Sequence, residues 1–187
     1  MNNLTLKQPQ PKTGKPKKGD PEPEDPLILR APTVEDGARI HQLISDCPPL
    51  DVNSVYAYLL LAGHFADTCV VAEHQERLVG FISAYIPPNQ PDVLFIWQVA
   101  VHSAARGQGL GQRMLHHLLE RKGSEGIRYM ETTVSPDNQA SRSMFQGVAR
   151  QLNTQLNENV FLEAHHFGEH AHADEPLLRI GPLPHGQ

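Results

Sequence analysis

The sequence predicts an α/β domain, and three observations carry that prediction. Val93–Val101 (VLFIWQVAV) is a mostly apolar run too short for a typical buried helix. Its β-branched and aromatic content suits a strand buried on both faces. The glycine-rich Arg106-Gly107-Gln108-Gly109-Leu110-Gly111 follows, and then Leu110, Met114, Leu115, Leu118 and Leu119 recur at the spacing of one helical face. Elsewhere strand-like and helix-like runs alternate and close on a hairpin.

Taken in order, residues 1–26 form a tail in which Lys7, Lys12, Lys15, Lys17 and Lys18 precede Asp20, Glu22, Glu24 and Asp25 among scattered prolines. Such a segment has too little apolar surface to offset its ordering entropy, and it is expected to stay solvated. The domain proper is expected over residues 27–183, with 184–187 a short C-terminal tail. Leu27–Arg30 is its first strand. Thr33, with Asp36 three residues on, caps a helix whose Ile40, Leu43, Ile44 and Cys47 share one face until Pro48-Pro49 stops it. A loop beginning at Leu50 enters a second helix running to about Leu61, with Asp51, Asn53 or Ser54 available as its cap. Ala66–Glu73 and Leu78–Tyr85 form a hairpin across His74–Arg77, and Pro87–Asp92 is a stiff link into the central strand. Ile127–Val134 is the next strand. Ser135–Asn138 then caps a helix through about Leu152. Asn159–Glu163 and Leu177–Ile180 pair around a loop rich in histidine and acid.

Composition narrows the classes. At 187 residues the chain is long enough for one sizeable core. A net charge of −5 argues against nucleic acid as the main partner and suits cationic small molecules. Only two cysteines, Cys47 and Cys69, leave no disulfide framework, so a reducing cytoplasm is the expected setting. No apolar run reaches membrane-spanning length, and no signal-peptide pattern opens the chain, so no membrane is expected as a partner.

The glycine loop carries the first chemistry. The opening turn of a helix has N–H groups without internal partners, and the macrodipole adds positive charge there. Glycines let a pyrophosphate approach those groups, and Arg106 adds a cation. The spacing is neither that of a dinucleotide fingerprint nor that of a lysine-containing P-loop. A plain tight turn is the structural alternative.

Arg106-x-x-Gly109-x-Gly111 after the VAVHSAAR strand end resembles the acetyl-CoA signature of the GNAT N-acetyltransferases. The resemblance implies a mixed, mostly antiparallel sheet flanked by helices, whose central strand splays from its neighbour at a bulge. The pantetheine arm would pair with the backbone groups freed there. By the same resemblance Val99 and Val101 supply those groups, and the Val99 N–H also serves catalysis by holding the thioester carbonyl. The amides of Arg106, Gly107, Gln108, Gly109, Leu110 and Gly111 hold the pyrophosphate. Asn138 aligns with the family's asparagine and joins the cofactor site. The family's usual thiolate-protonating tyrosine is replaced by Phe145, which has no proton to give. The coenzyme A thiolate then leaves unassisted, or Tyr56, Tyr58, Tyr85 or Tyr129 serves instead.

Further phrases lie outside that signature: Leu50–Ser54, Tyr56–Leu61, His64–Glu73, Pro87–Phe95 and Arg179–Pro182. Together, over about residues 27 to 183, they resemble the diaminobutyrate acetyltransferases that make the ectoine precursor. This resemblance implies acetyl-CoA as co-substrate, a small diamino acid as acceptor and a homodimer. No metal is implied. Candidate substrate residues are Asp51, Tyr56, Trp97, His172 and Glu175, of which Glu175 or His172 would accept the proton that a charged amine must lose. Trp97 could equally be plain core. The cluster of His165, His166, His170 and His172 could be read as a metal site, but it lacks a well-spaced fourth ligand and reads better as a polar loop. A covalent route through Cys47 or Cys69 would need an adjacent base, and both sit in apolar runs. Competing functions are acetylation of another small amine, such as a polyamine or a protein lysine, and non-catalytic sensing of acyl-CoA.

Overall fold

The computed structural model describes residues 26–169 and 174–184. In chain order its main elements are β1 (Ile28–Arg30), α1 (Gly37–Ser45), α2 (Val55–His64), β2 (Val70–His74), β3 (Arg77–Tyr85), β4 (Val93–Val101), α3 (Leu110–Leu119), β5 (Tyr129–Thr133), α4 (Gln139–Gln151), β6 (Leu156–Leu162) and β7 (Glu175–Ile180). They form one seven-stranded sheet in the order β1-β2-β3-β4-β5-β7-β6. All pairings are antiparallel except β4 with β5, where α3 supplies the crossover that a parallel pair requires. The expected mixed sheet with flanking helices is the observed one.

Each face of the sheet carries its own core. Leu110, Met114, Leu115 and Leu118 of α3, with Phe145 and Val148 of α4, bury Leu94, Ile96, Met130, Leu178 and Ile180 on one face. The helical spacing read from the sequence is what puts the α3 residues on that side. On the other face Ile40, Leu43 and Ile44 of α1, with Tyr58 and Leu61 of α2, cover Val71, Phe81 and Ala100. No residue of β5, β6 or β7 belongs to this second core, so that half of the face is left for other contacts.

Several expectations are corrected. Ala66–Thr68 is a 3-10 turn rather than strand, and β2 begins only at Val70. The Thr68 hydroxyl donates to the Ala84 carbonyl at 2.6 Å and lies 3.1 Å from that of Phe65, which ties the turn down before pairing can start. The second helix continues to His64, and β6 starts at Leu156 rather than Asn159. β4 is not buried on both faces throughout: Trp97 is 46% exposed, which also excludes its reading as plain core. The expected N-terminal tail lies outside the described residues up to residue 25.

An ion-pair cluster locks the first strand and helix onto β2. Asp36 accepts from Arg30 at 2.6 Å and from Arg39 at 2.9 Å, and Glu73 accepts from the same two arginines. Burial alone would raise the Asp36 carboxyl. The Arg30 bond and the Thr33 amide outweigh it and hold the group at about 2, below its ordinary 3.8. A depressed carboxyl stabilises the fold above its unfolded-state value and loses that contribution as pH falls through the folded one. Thermal stability is therefore expected to decline as pH is lowered from 4 toward 2, this group contributing about 2 kcal/mol. Asp36→Asn should lose a similar amount at pH 7 and show a flatter acid limb in melting scans.

Candidate active site

β4 and β5 run side by side only as far as Ile96 and Thr132, the last pair of their parallel ladder. Beyond that point β4 continues to Val101 without β5 as its neighbour, so the two strands fork. The fork coincides with a bulge: Ser83 faces Gln98 and Ala84 faces Ile96, leaving Trp97 as the extra residue. A bulge shifts side-chain alternation by one. As a result Ile96 and then Val99 and Val101 all pack on the α3–α4 side.

The same register decides where the backbone groups of β4 point. The His102 N–H donates to the Val79 carbonyl at 2.9 Å, marking that pair as a bonded one. Bonded and non-bonded pairs alternate along an antiparallel ladder. Val101, opposite Gly80, and Val99, opposite Ile82, therefore turn their N–H and C=O groups away from β3 toward the fork. Consistent with this, the Val101 carbonyl accepts from Arg106 Nε at 3.0 Å and from Cys47 Sγ at 3.5 Å.

The glycine loop closes one end of the fork. Gly107 and Gly109 have φ of +76° and +70°, and nothing lies within 4 Å of where a Cβ would stand on either. Gly109 is the residue before α3, so the left-handed turn delivers the chain directly into the helix. The first bond of α3 runs from the Arg113 N–H to the Gly109 carbonyl, so the amides just before Arg113 belong to the turn that a helix leaves unpartnered. Leu110 anchors that turn in the core. Gly111 contributes differently: a Cβ there would come within 2.5 Å of Met144 Sδ, so the missing side chain makes room for that methionine of α4.

Between these elements lies a cleft of about 270 Å³. Its lining comes from the segment after α1 (Cys47 to Leu50), from β4 and the residue before the glycine turn (Val99, Val101, Arg106), and from the start of α4 (Asn138 to Met144). Asn138 also caps α4, its Oδ1 accepting from the Ser141 N–H at 3.1 Å. A mostly apolar cleft with Arg106 in its lining, next in sequence to the glycine turn and its unpartnered helix amides, suits a flexible amide-containing arm that carries a diphosphate.

A buried polar network fixes the loop that overhangs the fork. Gln98 Nε2 donates to the Asp51 carbonyl at 2.8 Å, and the Tyr58 hydroxyl donates to Gln98 Oε1 at 3.3 Å. The Asn53 N–H donates in turn to the Tyr58 oxygen at 3.1 Å. Neither Gln98 nor the role of Tyr58 was anticipated; a single glutamine inside an otherwise apolar strand was the available signal. Ser54 caps α2 by accepting from the Ala57 N–H, which leaves Asp51 outside that task.

Among the other expected site residues, Asp51 is exposed, and Tyr56 is 68% exposed at the start of α2. Glu175 opens β7 opposite Leu162. The Val134 N–H donates to the Pro176 carbonyl, so β7 reaches the same end of the sheet at which β4 and β5 part. His172 lies outside the described residues, as does His170.

The alternatives to direct transfer fare poorly in these surroundings. Burial pushes the Cys47 thiol up, and it pushes the Cys69 thiol up to about 11, so neither is poised as a thiolate. Phe145 is buried in the core. Tyr58 is fully buried within the Gln98 network, and Tyr129 lies beneath the Arg179 guanidinium at 3.8 Å.

Comparison with known proteins places these features. Residues 37–148 match the model of the acetyltransferase (GNAT) family. The L-2,4-diaminobutyric acid acetyltransferase of Bordetella parapertussis is 58% identical over 158 residues, covering 84% of this chain and 85% of that protein. Its counterpart in Vibrio cholerae is 50% identical over 159 residues, covering 84% and 91%. A solved structure of the diaminobutyrate acetyltransferase EctA from Paenibacillus lautus, in complex with L-2,4-diaminobutyric acid and coenzyme A, superposes with a TM-score of 0.82 at 44% identity, covering 87% of this chain and 99% of that one. The chain belongs to the GNAT acetyltransferase family and, within it, to the diaminobutyrate acetyltransferases.

Proposed function

We propose that the protein transfers the acetyl group of acetyl-CoA to the γ-amine of L-2,4-diaminobutyrate, the acetylation step of ectoine biosynthesis, in a ternary complex in the cytoplasm. The observation that carries this reading is the fork in β4–β5 ending at the glycine turn, in a chain 44% identical to a relative solved with this diamino acid and coenzyme A. The backbone groups of Val99 and Val101 line the pantetheine arm, and the amides from Arg106 to Gly111 take the diphosphate. Arg106 exchanges its bond to the Val101 carbonyl for the phosphate charge.

Asp51, Tyr56 and Trp97 form the wall against which the acceptor rests, the carboxylate attracting an ammonium group. At pH 7 an alkyl amine is almost wholly protonated, its pKa being about 10. Only the neutral amine attacks, so Glu175 or His172 takes the proton, directly or through water. The new C–N bond forms as the C–S bond breaks, with the Val99 N–H stabilising charge on the carbonyl oxygen. The thiolate leaves without a dedicated acid, in keeping with Phe145.

The protein acts as a homodimer. The edge strand β6 supports this, because Val160 is 79% exposed and Phe161 47% exposed where its pairing with β7 shifts register.

Incubation with acetyl-CoA and L-2,4-diaminobutyrate, followed by thiol release and NMR of the product, is expected to yield the γ-N-acetyl compound. Faster turnover of spermidine in the same assay would move the reading to a polyamine acetyltransferase. Tight acetyl-CoA binding without thiol release from any amine would make the protein a sensor.

A further inference from the structure

On the sheet face left open by α1 and α2, one row of side chains crosses four strands. Tyr85 of β3 stands opposite Phe95 of β4, Phe95 opposite Glu131 of β5, and Glu131 opposite Arg179 of β7. Glu131 is only 4% exposed, although this row sits on neither hydrophobic core. Its Oε1 accepts from Arg179 Nη1, and the Arg179 guanidinium carbon sits over the Tyr129 ring, 3.8 Å from its centre. Tyr85 and Phe95 stack beside the pair with ring centres 5.2 Å apart. The result is an adjacent anion and cation bordered by aromatic rings, on the sheet face turned away from α3 and α4 and below the fork.

We infer that Glu131 and Arg179 bind the α-amino acid head of the acceptor and thereby select which amine is acetylated. This inference rests on the acetyltransferase reading above and deepens it. Their mutual bond uses one nitrogen and one oxygen, while a guanidinium carries five N–H donors and a carboxylate several acceptor sites. Each therefore keeps capacity for a second partner, Arg179 for the α-carboxylate and Glu131 for the α-ammonium. A zwitterion placed there completes a ring of alternating charges, which an uncharged or singly charged head cannot do.

The position of the row below the fork sets the regiochemistry. Trp97, where the strands part, is two residues beyond Phe95, a rise of about 6–7 Å. The γ-nitrogen of an extended diaminobutyrate lies about 5 Å from its carboxylate carbon, counted over ordinary bond lengths. A head held in the Glu131–Arg179 row leaves the γ-amine to extend along the strands toward the fork and keeps the α-amine, paired with Glu131, behind it.

The test compares L-2,4-diaminobutyrate with 1,3-diaminopropane, which offers the same amine spacing without the carboxylate, in steady-state kinetics of the full-length protein. Wild type is expected to favour the amino acid strongly. Arg179→Gln should raise its KM about tenfold to a hundredfold, the worth of one charged hydrogen bond. KM for diaminopropane and affinity for acetyl-CoA should stay as they were. Arg179→Lys, which keeps the charge, should recover part of the loss. Equal efficiency of wild type on the two amines would overturn the inference without any variant. So would a variant that loses activity on both amines in parallel, the signature of a merely structural pair. Failure of wild type to acetylate either amine would instead refute the function proposed above.

Discussion

Glu175→Gln is expected to lower kcat for diaminobutyrate by about a hundredfold to ten-thousandfold, the usual worth of a positioned general base. The substitution keeps shape and removes the basic lone pair, so acetyl-CoA affinity should be unchanged. The pH profile separates this role from a structural one. Without a base the enzyme depends on the small neutral fraction of its amine, so the residual rate should keep climbing toward the amine's own pKa of about 10. Stopped assays of thiol release from pH 6 to pH 10 provide the measurement. A variant within twofold of wild type at neutral pH would transfer the role to another residue, His172 being the next to test.

Val99→Pro should reduce kcat/KM by about a hundredfold to a thousandfold, the cost of removing one oxyanion donor. Proline within a sheet ordinarily breaks a ladder bond, but the Val99 N–H points away from β3 and toward the fork. The position should therefore tolerate proline as an edge strand does. Ala100→Pro is the control. Ala100 pairs with Phe81 in the bonded class, so proline there should depress the melting temperature well before any kinetic comparison is possible. A Val99→Pro variant that folds and retains full activity would remove the amide from the reaction.

Much of this architecture could be read from side-chain pattern. The run Val93–Val101 forms β4 at those same bounds, because nine residues rich in β-branched and aromatic side chains lie between a proline-rich link and a glycine loop. The α3 face, with Leu110, Met114, Leu115 and Leu118 buried, follows directly from period 3.6. The turn at Ala66–Thr68 escaped notice because Ala-Asp-Thr carries no glycine or proline, and its geometry is set by the Thr68 hydroxyl reaching β3. The bulge at Trp97 was legible only through a family likeness. Alternation along β4 alone does not reveal which residue is the extra one, since that depends on the register of β3.

The site was legible in unequal parts. Gly107 and Gly109 marked a turn where the backbone is left bare before a helix, and both have positive φ. Gly111 looked like part of the same motif, yet its absent side chain is spent on Met144. The Gln98–Tyr58–Asp51 network joins residues up to 47 positions apart, and the Glu131–Arg179 pair spans 48. Contacts of that kind depend on strand order, which places β7 rather than β6 beside β5. Neither spacing nor composition encodes that exchange.

A crystal structure of the protein with acetyl-CoA is the most direct examination of the forked sheet. The thioester carbonyl should lie within hydrogen-bonding distance of the Val99 N–H, the pantetheine arm along Val99–Val101, and the diphosphate on the amides between Arg106 and Gly111, with the Arg106 guanidinium released from the Val101 carbonyl. A nucleotide seated elsewhere, or a pantetheine arm that makes no bond to β4, would contradict the proposed site.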